Sequence, residues 1–161
     1  MRRKIYNIIN SIFYRLLSYL FSKYLVKIVN RHHYVHGLES NLHLGKNVAT
    51  VNTIFNTSSG HIYINDDVIF GHNCMLLTGR HEFLEGKRKI FSGHPDTPSK
   101  GYDIKIGNGT WIASGAILIG GVEVGSNCIV CSGAVVTKSF PDNSVIAGIP
   151  AKKISSTLNR G

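Results

Sequence analysis

The chain has 161 residues, 43% of them hydrophobic and 17 of them glycine, which is one domain's length with enough apolar side chain for a core and many tight turns. Of its net charge of +9, seven positive residues precede the first acidic one, Glu39, whereas from residue 32 onward eleven Lys/Arg face nine Asp/Glu. This excludes a nucleic-acid-binding face spread over the body, and three cysteines, an odd and sparse set, exclude a disulfide framework and fit a reducing cytoplasm.

Residues 1–31 are predicted to form a basic amphipathic helix. Ile5, Ile8, Ile9, Ile12, Phe13, Leu16, Leu17, Leu20, Phe21, Tyr24, Leu25 and Ile28 recur at three- and four-residue steps and make one stripe. Lys4, Arg15 and Lys23 leave no uncharged run longer than ten residues, too short to span a bilayer. The small-residue cleavage site of a signal peptide is also missing. Two uses of the stripe stay open. Residues 1–30 suit peripheral contact with an anionic membrane surface, or they pack on the remainder of the protein or on a neighbouring subunit.

From residue 42 to 79 a repeat begins that 104–150 carries plainly. Stepping by six from Ile106 gives Ile112, Leu118, Val124, Val130 and Val136, and four places after each comes Thr110, Ala116, Val122, Cys128, Ala134 and Phe140. The same phase read backwards gives Leu76, Phe70 and Ile64. A period of six is neither helical nor simple alternation; it is the signature of a hexapeptide β-helix. Each hexapeptide is one short strand and a turn, and three make a triangular coil of about eighteen residues. Ile106 should therefore lie beneath Val124, Ile112 beneath Val130 and Leu118 beneath Val136. No coil buries its apolar residues alone, so stability comes from stacking. The period does not set the hand of the coil.

Residues 80–103 break the pattern with charges, two prolines and three glycines, and are expected to protrude as a functional loop. Cys128 and Cys131 form a C-x-x-C without the second pair that a zinc tetrahedron needs, and read as small residues facing a narrow core. From residue 155 to 161 a short polar tail is expected. The solenoid proper is assigned to 32–154.

The run I-Y-I-N-D-D-V-I-F-G-H-N-C-M-L-L-T-G-R-H (62–81), W-I-A-S (111–114), S-G-A-V-V-T-K (132–138) and A-G-I-P-A-K (147–152) together resemble the hexapeptide-repeat O-acetyltransferases, a group that includes galactoside and maltose acetyltransferases and the sugar acetyltransferases of surface-polysaccharide synthesis. The resemblance covers about residues 42–154. It implies an all-β solenoid, a left-handed parallel β-helix, working as a homotrimer with the coenzyme cleft between adjacent prisms. It implies acetyl-CoA as co-substrate, no metal, and a sugar or glycan hydroxyl as acceptor, with an amino sugar as the alternative. Carried over by position, His81 is the general base and Ser114 donates its backbone N–H to the thioester oxyanion. Trp111 lines the coenzyme cleft, where Ala113 stands in place of a more usual glycine. Ser132, Thr137, Lys138 and Lys152 contact the pantetheine arm and phosphates. Asn52 and Glu82 are the acceptor-side candidates; Glu82 or Glu85 could also orient His81. His94 is read as structural or acceptor-facing, and the six other histidines as turn residues.

Two other functions fit the same scaffold. A γ-class carbonic anhydrase shares three zinc-binding histidines between subunits, two of them five positions apart, and no such pair occurs here. A non-catalytic trimeric β-helix is the second, since fold does not fix function; it gives no reason for His81 and W-I-A-S to occur together.

Overall fold

The structure, a computed structural model, describes residues 2–21, 33–91, 94–95 and 97–159. The chain divides into two compact units, Met1–His32 and His33–Gly161. In the first, Arg2–Leu20 is an α-helix. Ile12, Phe13, Leu16, Leu17 and Leu20 are exposed on it, with Ser11, Arg15 and Ser18 at the intervening positions. The expected continuation through Tyr24, Leu25 and Ile28, with Lys23, Lys27 and Arg31, lies outside the described residues. No helix among the described residues is long and apolar enough to cross a membrane.

The second unit is a parallel β-solenoid of about five turns with three faces. Face 1 is built from Leu42–Leu44, Ile62–Ile64, Ile104–Ile106 and Val122–Val124. Face 2 stacks Ala49–Val51, Ile69–His72, Trp111–Ile112, Ile129–Val130 and Ser144–Gly148. Face 3 stacks Tyr34–His36, Ile54–Asn56, Met75–Leu77, Ile117–Ile119 and Val135–Val136.

The register follows the six-residue period. Ile106 pairs with Val124, Ile112 with Val130 and Leu118 with Val136. One coil lower, Ile64, Phe70 and Leu76 lie beneath Ile106, Ile112 and Leu118, a separation of 42 residues. The excess over one eighteen-residue coil is 42 − 18 = 24, or four hexapeptides, which is why the protruding segment leaves the phase intact. Both series point inward: the aliphatic ladder is at most 1% exposed from Ile106 to Val136, and Thr110, Ala116, Val122, Cys128, Ala134 and Phe140 at most 6%. Two inward residues per hexapeptide fill a narrow prism, so the second must be mostly small. Below Ile62 the period lapses, because Leu42 pairs with Ile62 and Ile54 with Met75, steps of 20 and 21. The additional residues lie at the edge between faces 3 and 1, where five residues join Asn56 to Ile62 against two between Ile119 and Val122.

The expected loop carries two hairpins, Phe83–Leu84 with Lys87–Arg88 and Ile90–Phe91 with His94–Pro95. Ser155 and Ser156, expected in a polar tail, instead belong to a strand, Ala151–Ser156, that runs antiparallel to Ser144–Gly148. Reversing direction there closes the last coil, and Thr157 Oγ1 bonds to the Asn127 carbonyl at 3.0 Å to hold the end down.

Candidate active site

His81 stands at the edge between faces 3 and 1, where the chain leaves the solenoid. Thr78 is buried there, donating through Oγ1 to the Asn56 carbonyl at 2.8 Å and accepting from the Ser59 N–H at 3.1 Å. The Arg80 N–H then bonds to Ser59 Oγ at 3.2 Å. The exit of the loop is thus anchored up to the residue before His81, while the His81 side chain is exposed. It lines a cavity of about 160 Å³ with His36, Asn56, Ser58, Arg80 and Thr97. On its other side it lines an open pocket of about 370 Å³ with Arg80, Glu82, Phe83 and Tyr102. Asn56 escaped the sequence reading; its amide lies against Gly79, where a Cβ would meet Nδ2 at 2.6 Å. The six-residue count could not have pointed to it, because Asn56 lies 21 residues below Leu77 on face 3.

Glu82 shares this pocket, but its carboxylate is held by Lys89 Nζ at 3.2 Å. Glu85 sits with Gly86 at a hairpin tip, with φ of 50° and 75°, the backbone of a type I′ turn. Neither carboxylate contacts His81. The side chain of His94 lies outside the described residues.

Ser114 lies at a different edge, between faces 2 and 3. Its Oγ accepts from the His72 N–H at 3.1 Å, and its carbonyl accepts from Gly133 N–H at 3.0 Å. At the edge between faces 1 and 2 three corner amides are spent, Lys46 N–H on Asp66, Asp66 N–H on Asn108 and Ser126 N–H on Asp142, at 2.7, 3.1 and 2.7 Å, whereas those of Asn108 and Ser132 have no acceptor among the described residues. The Ser114 N–H has no such acceptor among the described residues. Gly71 packs against it so closely that a Cβ there would lie 2.4 Å from Ser114 N. An exposed, unspent donor on rigid backbone can meet a developing oxyanion. Ala113, by contrast, has its N–H in the ladder, bonded to the Val130 carbonyl at 2.8 Å.

Trp111 is half exposed on face 2, between Ile69 and Ile129. Ser132 is exposed one coil above Ser114. Thr137 and Lys138 are exposed at the edge between faces 3 and 1, with Lys138 Nζ 5.7 Å from the Phe140 ring centre. Lys152 is exposed on the closing strand, opposite Ala147. Asn52 is a corner residue between faces 2 and 3, its amide bonded to Asn73.

One prism therefore does not bring the expected site together. His81 and Glu82 belong to one edge, Ser114, Ser132 and Asn52 to another, with face 3 between them. The five steps from Asn73 to Thr78 span roughly 16 Å at about 3.3 Å per residue.

The C-x-x-C carries no bridge: Cys128 is buried and Cys131 half-buried, both free. Burial pushes the Cys74 and Cys128 thiols up from the usual 9.0. No three His, Cys, Asp or Glu side chains converge as metal ligands among the described residues.

Residues 103–138 match the bacterial transferase hexapeptide (six repeats) family. Galactoside O-acetyltransferase of Escherichia coli (strain K12) is 31% identical over 124 residues, 75% of this chain and 57% of that protein. Among solved structures, a galactoside acetyltransferase in complex with coenzyme A aligns with a TM-score of 0.64 at 28% identity, covering 77% of this chain and 58% of the other. A maltose O-acetyltransferase from Clostridium difficile 630 aligns with a TM-score of 0.57 at 27% identity, covering 78% and 66%. The chain spans little more than half the length of the curated relatives it matches. Period, register and these likenesses agree that residues 103–138 carry the bacterial-transferase hexapeptide repeat, within a solenoid similar to the galactoside and maltose O-acetyltransferases.

Proposed function

We propose that this protein transfers the acetyl group of acetyl-CoA to a hydroxyl of a sugar or glycan precursor in surface-polysaccharide synthesis. It acts as a homotrimer in which the His81 edge of one copy faces the Ser114 edge of the next. The observation that carries the reading is the Ser114 N–H, unspent among the described residues, on a solenoid similar to sugar acetyltransferases.

Self-association is supported by the outward ladders. Face 2 presents Ile69, Trp111 and Ile129, and face 3 presents Ile54, Met75, Ile117 and Val135, whereas face 1 presents His43, Tyr63, Lys105 and Glu123. The two apolar faces flank the Ser114 edge, where a second prism would cover them.

In the reaction, the neutral His81 imidazole takes the acceptor hydroxyl's proton as its oxygen attacks the thioester carbonyl carbon, a contribution of about 10²–10⁴-fold. Ser114 N–H donates to the oxyanion of the tetrahedral intermediate, worth about 10²–10³-fold. Collapse of the intermediate breaks the C–S bond, and the His81 imidazolium returns the proton to the departing thiolate. Lys138 and Lys152 meet phosphates as point charges, Trp111 stacks beside the coenzyme, and Ser132, Thr137 and the Ala113 backbone line its pantetheine arm. Glu82 and Asn52 approach the acceptor from the two opposed edges.

Thiol release from acetyl-CoA with a panel of sugars tests this. His81→Ala should cut turnover at least about a hundredfold while leaving acetyl-CoA affinity within about twofold. Equal rates in the two proteins would return the fold to a non-catalytic scaffold.

The basic helix supports a cytoplasmic enzyme held at the inner membrane face. Its exposed apolar residues would insert among acyl chains while Arg15 meets anionic headgroups. Replacing Ile12 and Leu16 by Asp should abolish sedimentation with phosphatidylserine vesicles; sedimentation that persists contradicts the membrane role.

A further inference from the structure

Arg80 precedes His81 and lines both the 160 Å³ cavity and the 370 Å³ pocket that the histidine lines. Its guanidinium carbon lies 5.2 Å from the centre of the Tyr102 ring, and its backbone is pinned to Ser59. Its side chain has no carboxylate partner among the described residues. The neighbouring charges, Glu82 and Lys89, neutralise each other at 3.2 Å. Among the described residues the pocket therefore holds one uncompensated positive charge, beside the proposed base.

A guanidinium held over an aromatic ring within cation–π range keeps its N–H donors, in a fork that matches two oxygens of one anion. A solvated surface arginine needs neither an aromatic rest nor a place in the wall of a pocket. Tyr102 and Phe83 add flat apolar surface beside it, suited to the C–H face of a sugar ring.

Resting on the acetyltransfer reading above, we propose that Arg80 determines acceptor specificity: the acceptor is an acidic sugar, carrying a carboxylate or phosphate close to the hydroxyl that His81 deprotonates. Two oxygens of that group take the edge donors of Arg80, which turns the hydroxyl toward the imidazole. Because Glu82 is engaged by Lys89, it does not repel such a ligand.

The test compares galactose, galacturonate and galactose 6-phosphate by NMR titration of the full chain with coenzyme A present, alongside thiol release with acetyl-CoA. At low ionic strength at least one charged sugar should bind about ten- to a hundredfold tighter than galactose, and the ratio between the two charged sugars says whether carboxylate or phosphate is read. Arg80→Gln should bring all three within about twofold, and Arg80→Lys should keep part of the preference. The proposal is overturned if the wild-type protein does not separate charged from neutral sugars, or if Arg80→Gln separates them equally well. Charge preference that depends on Arg80 without any thiol release would leave this site standing and remove the acetyltransfer reading. Thiol release that is equally efficient with galactose would do the reverse.

Discussion

Gly71→Ala offers a graded perturbation of the one donor on which the proposed chemistry turns. Gly71 is not among the glycines with positive φ, so alanine fits its backbone conformation and only space is at issue. The new Cβ would lie 2.4 Å from Ser114 N and 2.6 Å from Ser114 Oγ, where real Cβ contacts essentially never fall below 3.0 Å. Ser114 must therefore move by at least about 0.6 Å, the difference between 3.0 and 2.4 Å. Overpacking of this kind costs about 1–3 kcal/mol, or roughly 2–12 °C in Tm for a chain of this size. A displacement approaching 1 Å at an oxyanion donor costs up to about a hundredfold in rate, so kcat should fall roughly ten- to a hundredfold with little change in acetyl-CoA KM. Gly107→Ala is the matched control: its Cβ would meet Ser126 N at the same 2.4 Å, at the edge between faces 1 and 2. It should lose comparable stability and keep kcat. Thermal unfolding by circular dichroism and thiol-release kinetics read the two quantities separately. If Gly71→Ala turned over normally while as destabilised as its control, Ser114 would not be the donor.

Leu118 is fully buried between Leu76 and Val136, so Leu118→Ala should cost about 2–5 kcal/mol by urea denaturation, whereas Leu158→Ala, at a 77% exposed site, should cost under about 0.5 kcal/mol. Equal losses would argue against the aliphatic stack as the source of stability. Burial favours the neutral thiols of Cys74 and Cys128. Their stabilisation is full below the usual 9.0, where both states are protonated, and is lost as pH rises above it, because the unfolded chain ionises first. Between pH 8 and 10 the urea midpoint should therefore fall less steeply in Cys74→Ala than in the wild-type protein; parallel slopes would discount the burial effect. Iodoacetamide should label Cys131 alone in the native protein.

The solenoid's architecture was legible in the chain because a prism with two inward positions per hexapeptide imposes one rule six times over. Ile106, Ile112, Leu118, Val124, Val130 and Val136 report it without reference to anything distant. The even multiple of six in residues 80–103 preserved that phase across the loop, so Ile64, Phe70 and Leu76 could be placed beneath their partners. Below residue 62 the rule fades, since a longer corner between Asn56 and Ile62 helps shift the count by two or three. Nothing in local pattern announced that Ser155 and Ser156 would pair: polar strands at a solenoid end are chosen by the open edge they cover.

For the site, the resemblance to the hexapeptide-repeat acetyltransferases pointed to His81, Ser114 and Trp111, but not to where they stand relative to one another. Corner residues from successive edges are close in sequence count yet a face's width apart in space, and only the coiling separates them. Whether an amide is spent or unspent, as at Ser114, depends on what the coil above places over it. Glu82 bonded to Lys89, Asn56 sharing a cavity with His81 and Arg80 lying over Tyr102 are likewise settled by segments that meet only in the folded chain. Repetition along the chain encodes what each coil shares with its neighbours; chemistry resides where one coil differs from the next, and that difference exists only once they are stacked.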